Sequence, residues 1–428
     1  MKKLLIIGYV WPEPNSSAAG SRMLELIQLF LAQEWEIIFA SAAALSEHRA
    51  DLMRLGVVEK TIALNDSSFN EYLKDIQPDA VLFDRFFTEE QFGWRVEQVC
   101  PQALRILDTE DLHSLRHARH QVLKKSQQAR NKEIDRQSVS PVLANADELY
   151  GLMATDDMAQ REVAAIFRCD LTLMISQFEI ELLTKYFSVP HELLHYCPFL
   201  SPEFPEKKSL NNYESREHFI AIGNFRHEPN WDSVLYLKHA IWPLIHSRLP
   251  QAELHIYGSY PPPKATQLHK PKQGFHIKGW VDDAHRVMQQ ARVCLAPLRF
   301  GAGIKGKLMD AMRNGTPSVT TAIGAEAMHG DLAWGGFIEN TAKEFSEAAI
   351  KLYTDLVLWQ QAQAQGDIIL QKYFGSQDHS QLFVDRLKKL EDNLEEERQQ
   401  NFVGAMLRHH TLKSTQYMSQ WIEAKNKN

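Results

Sequence analysis

Four cysteines in 428 residues, with no CxxC pair among them, leave little from which to build a disulfide framework or a thiolate metal site. Cys100, Cys169, Cys197 and Cys294 are scattered in or beside apolar runs, the usual setting of buried thiols in a reducing compartment. Long hydrophobic runs are missing too, and none could span a bilayer. The opening Met1-Lys2-Lys3-Leu4-Leu5-Ile6-Ile7 looks superficially like a leader. Its apolar core is short and runs into Trp11-Pro12-Glu13-Pro14, so a first buried strand is the better reading. Excess positive charge is absent: a formal net charge of −7 argues against general nucleic-acid binding. There is no internal repeat and no low-complexity tract. A cytoplasmic protein is expected, with work at the inner face of a membrane left open.

What is present is an alternation. Leu4–Tyr9, Glu36–Ala40, Val57–Ala63, Ala80–Phe83, Arg105–Leu107 and Leu171–Ile175 are short apolar runs separated by helical patterns. Ser176-Gln177-Phe178-Glu179 reads as a capping box that starts a helix after the last of them. A second series follows at His218–Ile222, Leu254–Tyr257, Phe275–Ile277, Val293–Ala296 and Ser318–Thr320, with helices at Trp231–Arg248 (kinked at Pro243) and Asp283–Gln290. The proline-marked, polar segment 201–216 reads as a linker. These signals predict an α/β chain of two doubly wound, Rossmann-like domains, 1–200 and 217–375, followed by a helical tail, 376–428. Two such sheets present the carboxyl ends of their strands to a shared cleft, where folds of this kind bind ligands.

The stretch Pro297–Pro317 carries the most chemistry. It reads as a strand end, a glycine-rich turn holding Gly301 and Gly303, a short helix and a stop at Gly315-Thr316-Pro317. Glycines allow close backbone approach, and a helix start offers free N–H groups and the positive end of its dipole. Lys305 and Lys307 add charge there, and Arg299 is expected to close the other side. Asp310 lies further along the helix, where a carboxylate could accept bonds from vicinal hydroxyls. Phosphates at a helix start and a diol at a carboxylate are what a nucleotide sugar offers.

On these residues the chain resembles the retaining GT-B glycosyltransferases of the large family that includes sucrose synthases and mannosyltransferases. The resemblance spans roughly residues 1–375 and is strongest over Phe219–Met328. Gly223-Asn224-Phe225-Arg226-His227-Glu228-Pro229-Asn230-Trp231-Asp232 resembles the family's first strand end and following loop of the second domain. Pro297–Pro317 resembles its donor motif, and Pro12–Gly20 the loop that closes over the phosphates. Asp108-Thr109-Glu110-Asp111-Leu112-His113 resembles the strand end that supplies an active-site histidine. The resemblance implies His113 as the catalytic residue, and Gly20, Asn224, Arg226, Arg299, Gly301, Gly303, Ile304, Lys305 and Asp310 as donor-binding. It implies transfer with retention, without metal or cofactor, from a nucleotide-diphosphate sugar to a glycan or lipid-linked acceptor. Two departures stand out. The family's two glutamates eight positions apart become Ala302 and Asp310, and its Arg and Lys after the glycine become Asn224 and Asn230, so the phosphate-neutralising charge is expected from elsewhere.

Each residue also has a plainer reading. Asp310 could be a helix-surface carboxylate, His113 a structural histidine, Gly20 a helix-start glycine, and Trp280 a core residue instead of a base platform. The stretch Ser114–Lys132 is basic without an acid; a solvated helix is favoured over contact with anionic lipid. In the tail, the adjacent His409 and His410 point in different directions on a helix, against a shared metal. A GT-B epimerase or phosphorylase, or a non-catalytic GT-B scaffold, remains the alternative function.

Overall fold

The computed structural model describes residues 1–130, 137–200 and 212–427. Most of the expected linker, 201–211, and the end of the basic stretch at 131–132 lie outside them. Seven parallel strands form the first sheet: β1 (Lys3–Gly8), β2 (Glu36–Ser41), β3 (Val58–Thr61), β4 (Ala80–Asp84), β5 (Leu104–Asp108), β6 (Leu171–Met174) and β7 (Leu194–Tyr196). Their spatial order is β3-β2-β1-β4-β5-β6-β7. β4–β6 are buried throughout and β1 from Leu4 onward, and helices cover both faces, which explains why these strands read as continuous apolar runs without alternation.

The second sheet has six parallel strands: β8 (Glu217–Ile222), β9 (Leu254–Tyr257), β10 (Phe275–Gly279), β11 (Ala291–Ala296), β12 (Ser318–Thr320) and β13 (Gly336–Ile338). Their order is β10-β9-β8-β11-β12-β13. β7 and β13, three residues each, were not expected; both are edge strands only partly buried, so neither shows as an apolar run. The expected helix Trp231–Arg248 runs from Glu228 to Arg248 and opens into a π-turn at Leu237–Ile241. Pro243 offers no N–H to the carbonyl four residues back, and the wider turn absorbs that loss.

The tail completes the first half of the molecule. Helix Ser376–Asp392 places Phe383, Val384, Leu387 and Leu390 in the core beside Phe30 and Leu4 of the first sheet's layer. Arg398 then grips Asp170 at 2.7 Å and 2.8 Å. Helix Phe402–Lys427 packs along helices Phe86–Val99 and Asp157–Arg168. Among the described residues, no helix is long and apolar enough to cross a membrane.

Candidate active site

The carboxyl ends of both sheets open onto one cleft of about 580 Å³. From the second half, Gly301, Ala302, Ile304, Lys305, Lys307 and Asp310 line it, with Asn224, Arg226 and His227 opposite. From the first half come Gly20, Arg85, Glu110, Asp111, His113 and Arg116.

Two helix starts meet in this cleft. Helix Gly306–Arg313 begins with Lys305 at its N-cap, and helix Ala18–Ala32 begins with Ser17, whose hydroxyl accepts the Gly20 N–H at 3.0 Å. They are so close that a Cβ on Gly306 would lie 2.6 Å from that of Ala18. Gly20 is equally cramped, since a Cβ there would come within 2.4 Å of the Glu13 backbone. The Pro12–Gly20 loop is thereby folded tightly against the helix it precedes. Two helix N-termini and their positive dipole ends converge on one spot, a setting that favours an anion.

Charge in the second half reinforces this. Burial pushes the Lys305 ammonium down to about 8, and Lys307 likewise to about 8. Lys305 Nζ donates to the Gly303 carbonyl at 2.7 Å, and Lys307 Nζ to Asn230 Oδ1 at 2.5 Å. Lys307 Nζ also lies 2.9 Å from where a Gly223 Cβ would be, so its charge sits against the loop in which Asn224 and Asn230 carry none. Asp310, one turn into the helix, is half-buried; burial raises its carboxyl while Arg313 and His285 pull it back.

The first half contributes carboxylates. Arg85 and Glu110, just past the ends of β4 and β5, hold positive φ angles of 69° and 64°. Non-glycine residues adopt that region only where the surroundings force it, and such strain clusters at functional sites. Burial, then Asp108 and Asp84, push the Glu110 carboxyl well above its usual range. Burial also pushes Asp111 up, but Arg116, His113 and His227 outweigh it and hold that carboxylate below its usual range. His113 heads helix His113–Gln128, its Nε2 3.5 Å from Asp111 and its ring edge-on to Phe86 and Phe87. Burial drives its imidazole down to about 3, so it is neutral at physiological pH. Glu162 accepts the backbone N–H groups of His113 and Ser114 at 2.9 Å and 3.1 Å, fixing the start of that helix.

Several expectations need correction. Arg299 does not reach the cleft. It is buried, bound to Asp232 at 2.5 Å and 2.8 Å and to the carbonyls of Gln137 and Val139 at 2.9 Å, because an ionised guanidinium out of water takes the nearest carboxylate. Gly303 is not itself among the cleft-lining residues: its φ is 63°, and it packs so closely on the first half's wall that a Cβ would come within 2.9 Å of Asp111 and Ile175. The capping box fails as well. Ser176 makes no side-chain cap, and Glu179 Oε1 accepts from Gly303 N at 2.7 Å and Leu112 N at 3.3 Å. Burial and the Asp111 charge push the Glu179 carboxyl up to about 8. The basic helix is not simply solvated. Arg119 binds Gly301 O at 2.8 Å and Glu326 at 2.6 Å and 2.9 Å, and His120 stacks on Phe300 at 4.1 Å. Trp280 stacks on His48 at 4.1 Å, a contact between the two halves.

Residues 216–355 match the model of the family described as glycosyl transferases group 1. Solved structures share the architecture at low identity. S. aureus TarM, in complex with fondaparinux, α-GlcNAc-glycerol and UDP, superposes with a TM-score of 0.64 at 8% identity, covering 90% of this chain and 99% of its own. Anabaena HepE, in complex with UDP and glucose, gives 0.64 at 10%, covering 91% and 100%. Sucrose-phosphate synthase from Thermosynechococcus elongatus gives 0.59 at 14%, covering 91% and 99%. The fold is GT-B. No curated protein sequence matches the chain.

Within the GT-B frame, the glycosyl transferases group 1 match covers the second sheet and the helix carrying Lys305, Lys307 and Asp310. Sequence reasoning placed Lys307 at the helix start but missed His227, Glu110, Asp111 and Arg116 as cleft residues. His227, Glu110 and Asp111 stood inside quoted motifs, and Arg116 inside the basic run. Nothing in the sequence marked Glu179 as reaching across to Gly303.

Proposed function

We propose that this GT-B chain transfers a glycosyl group from a nucleoside-diphosphate sugar to an acceptor hydroxyl, with retention of anomeric configuration and without a metal. The convergence of two helix starts with Lys305 and Lys307 carries the reading, because it concentrates four sources of positive potential where a leaving diphosphate gains charge. Lys307 supports relocation of the charge that Asn224 and Asn230 lack; Arg299, tied to Asp232, does not take part. Asp310 receives the ribose hydroxyls. His113, neutral and on the opposite wall, donates or accepts a hydrogen bond at the transferred sugar. Closure of the halves over the cleft excludes water.

TarM and HepE were solved with UDP, which favours a nucleotide sugar as donor and a glycan or lipid-linked acceptor for this chain. Cytoplasmic work, including at a membrane face, remains part of the proposal. An epimerase would convert donor without acceptor, and a scaffold would bind nucleotide weakly or not at all.

The test is calorimetric titration with a ribonucleoside diphosphate and its 2′-deoxy analogue. Losing a hydrogen bond to a charged acceptor costs about 1.5–3 kcal/mol, and half exposure places Asp310 near the lower end. Asp310→Asn should therefore bind the ribonucleotide about tenfold more weakly and lose most of its preference over the deoxy form. A variant that keeps full discrimination would remove Asp310 from the ribose.

A further inference from the structure

At the amino ends of β8, β9 and β10, the ends turned away from the cleft, three imidazoles lie side by side. His255 and His276 are direct register partners on adjacent strands, with ring centroids 5.3 Å apart. His218 stacks on His255 at 4.0 Å. Glu253, the residue before β9, turns its carboxylate into the group, 2.6 Å from His255 Nε2 and 3.6 Å from His276 Nε2. Period-two alternation explains why these side chains share a face. It does not explain why polar groups of this kind gather there.

We propose that Glu253, His255 and His276 form a binding site for a divalent transition-metal ion of the zinc class, separate from the cleft. Among the described residues this is the one group of three or more such side chains whose ligand atoms all lie within 4.8 Å of one another. Tetrahedral coordination with bonds of about 2.0–2.1 Å sets ligand atoms roughly 3.3 Å apart, and the two carboxylate–imidazole separations, one to each oxygen of Glu253, bracket that value. Glu253 is 50% exposed, so its side chain can adjust and an ion can enter, while both imidazoles are 13% exposed and held by the sheet.

A second observation points the same way. His276 Nε2, His255 Nδ1 and His218 Nε2 are buried without a hydrogen-bond partner. Buried polar atoms in folded proteins are nearly always satisfied, and an ion held beside Glu253 would satisfy His276 Nε2, the one of the three that is turned to the carboxylate. Two imidazoles and a carboxylate suit zinc or its first-row neighbours better than magnesium or calcium, which prefer oxygen alone. The stacked His218 belongs beside His255, ordering its ring, not to the coordination sphere. An ion at this place would tie edge strand β10 to β9 and bear on the stability of the sheet.

The experiment uses the full chain, stripped with chelator and dialysed. Zinc chloride is titrated calorimetrically, Co²⁺ binding is followed by visible absorption, and thermal melting is recorded with and without zinc. Wild type should take up one equivalent, show the d–d bands of four-coordinate cobalt, and melt higher when saturated. Glu253→Gln, a surface change that leaves the fold intact, and His276→Ala should each weaken binding at least about tenfold. His191→Ala, at an exposed histidine elsewhere, should not. Absence of stoichiometric uptake by wild type, or wild-type affinity retained in either Glu253→Gln or His276→Ala, would overturn the proposal.

Discussion

The two lips of the cleft are built by the same architecture and carry opposite chemistry. In the second half, strand ends lead into glycines, lysines and a helix start, and the potential is positive. In the first half they lead into Asp84, Glu110 and Asp111, balanced by Arg22, Arg85 and Arg116, with strained backbone at Arg85 and Glu110. A parallel sheet decides only where loops gather; side chains decide what gathers there. Diphosphate suits the positive lip. Carboxylates and a neutral imidazole suit sugar hydroxyls, which need hydrogen bonds more than charge.

The largest effect should come from the cation beneath the acidic lip. Arg22 is buried, bound to Asp108 at 2.8 Å and 3.1 Å and to the carbonyls of Cys197 and Pro198 at 2.6 Å and 3.1 Å. Arg22→Ala leaves Asp108 buried without its partner, which should cost about 3–5 kcal/mol of stability. Denaturant unfolding reads this directly. A loss under about 1 kcal/mol, the usual worth of an exposed pair, would mean the acidic lip does not depend on a buried counter-charge.

Next comes the positive lip. Lys305→Ala should weaken a nucleoside diphosphate by about 1.5–3 kcal/mol while hardly touching the free nucleoside, since only phosphate meets the ammonium. Because the free ammonium sits near 8, diphosphate affinity of wild type should be full below that pH and decline as pH rises through it. Equal weakening of both ligands, or a flat pH profile, would detach Lys305 from the phosphates. His113→Ala tests the opposite lip and should give the reverse split. Turnover should drop by about 0.5–1.5 kcal/mol in barrier, with diphosphate affinity within a few-fold. Its imidazole is already neutral, so the pH–rate profile should show no limb near 6.5 in either protein. Unchanged turnover would make His113 structural.

These contrasts were unequally legible. The buried strands announced themselves as apolar runs, and Gly301–Asp310 announced a turn and helix start at the cleft, because period and glycine spacing are local signals. Arg299 misled because its neighbours in sequence are cleft residues, while its partner, Asp232, lies 67 positions away. Lys307 was visible as charge, yet its proximity to Asn230 was not. Glu179 was misread because Ser-x-x-Glu is a local pattern, and a contact with Gly303, 124 positions off, is invisible at that range. The short strands β7 and β13 failed for a different reason: they lie at sheet edges and are only partly buried, whereas β12, equally short, is buried throughout and was read.

Glu179 also gives the smallest and sharpest test, because it joins the two lips. Its Oε1 holds Gly303 N–H of the positive lip and Leu112 N–H of the other, and its second oxygen is buried without a partner. The carboxyl titrates at about 8 in the folded chain and at about 4.3 in the unfolded one. Between those values the folded state holds a proton that the unfolded state has released. Stability must therefore fall as pH rises through that window, with the full penalty present above 8. Glu179→Gln keeps an oxygen to accept both N–H groups and carries no charge to bury. Wild type and variant should melt alike at pH 5, and the variant should melt a few degrees higher at pH 8.5. A gap that does not change between the two would mean that the carboxyl is ionised throughout, and that the lips are held together by an anion shared between them.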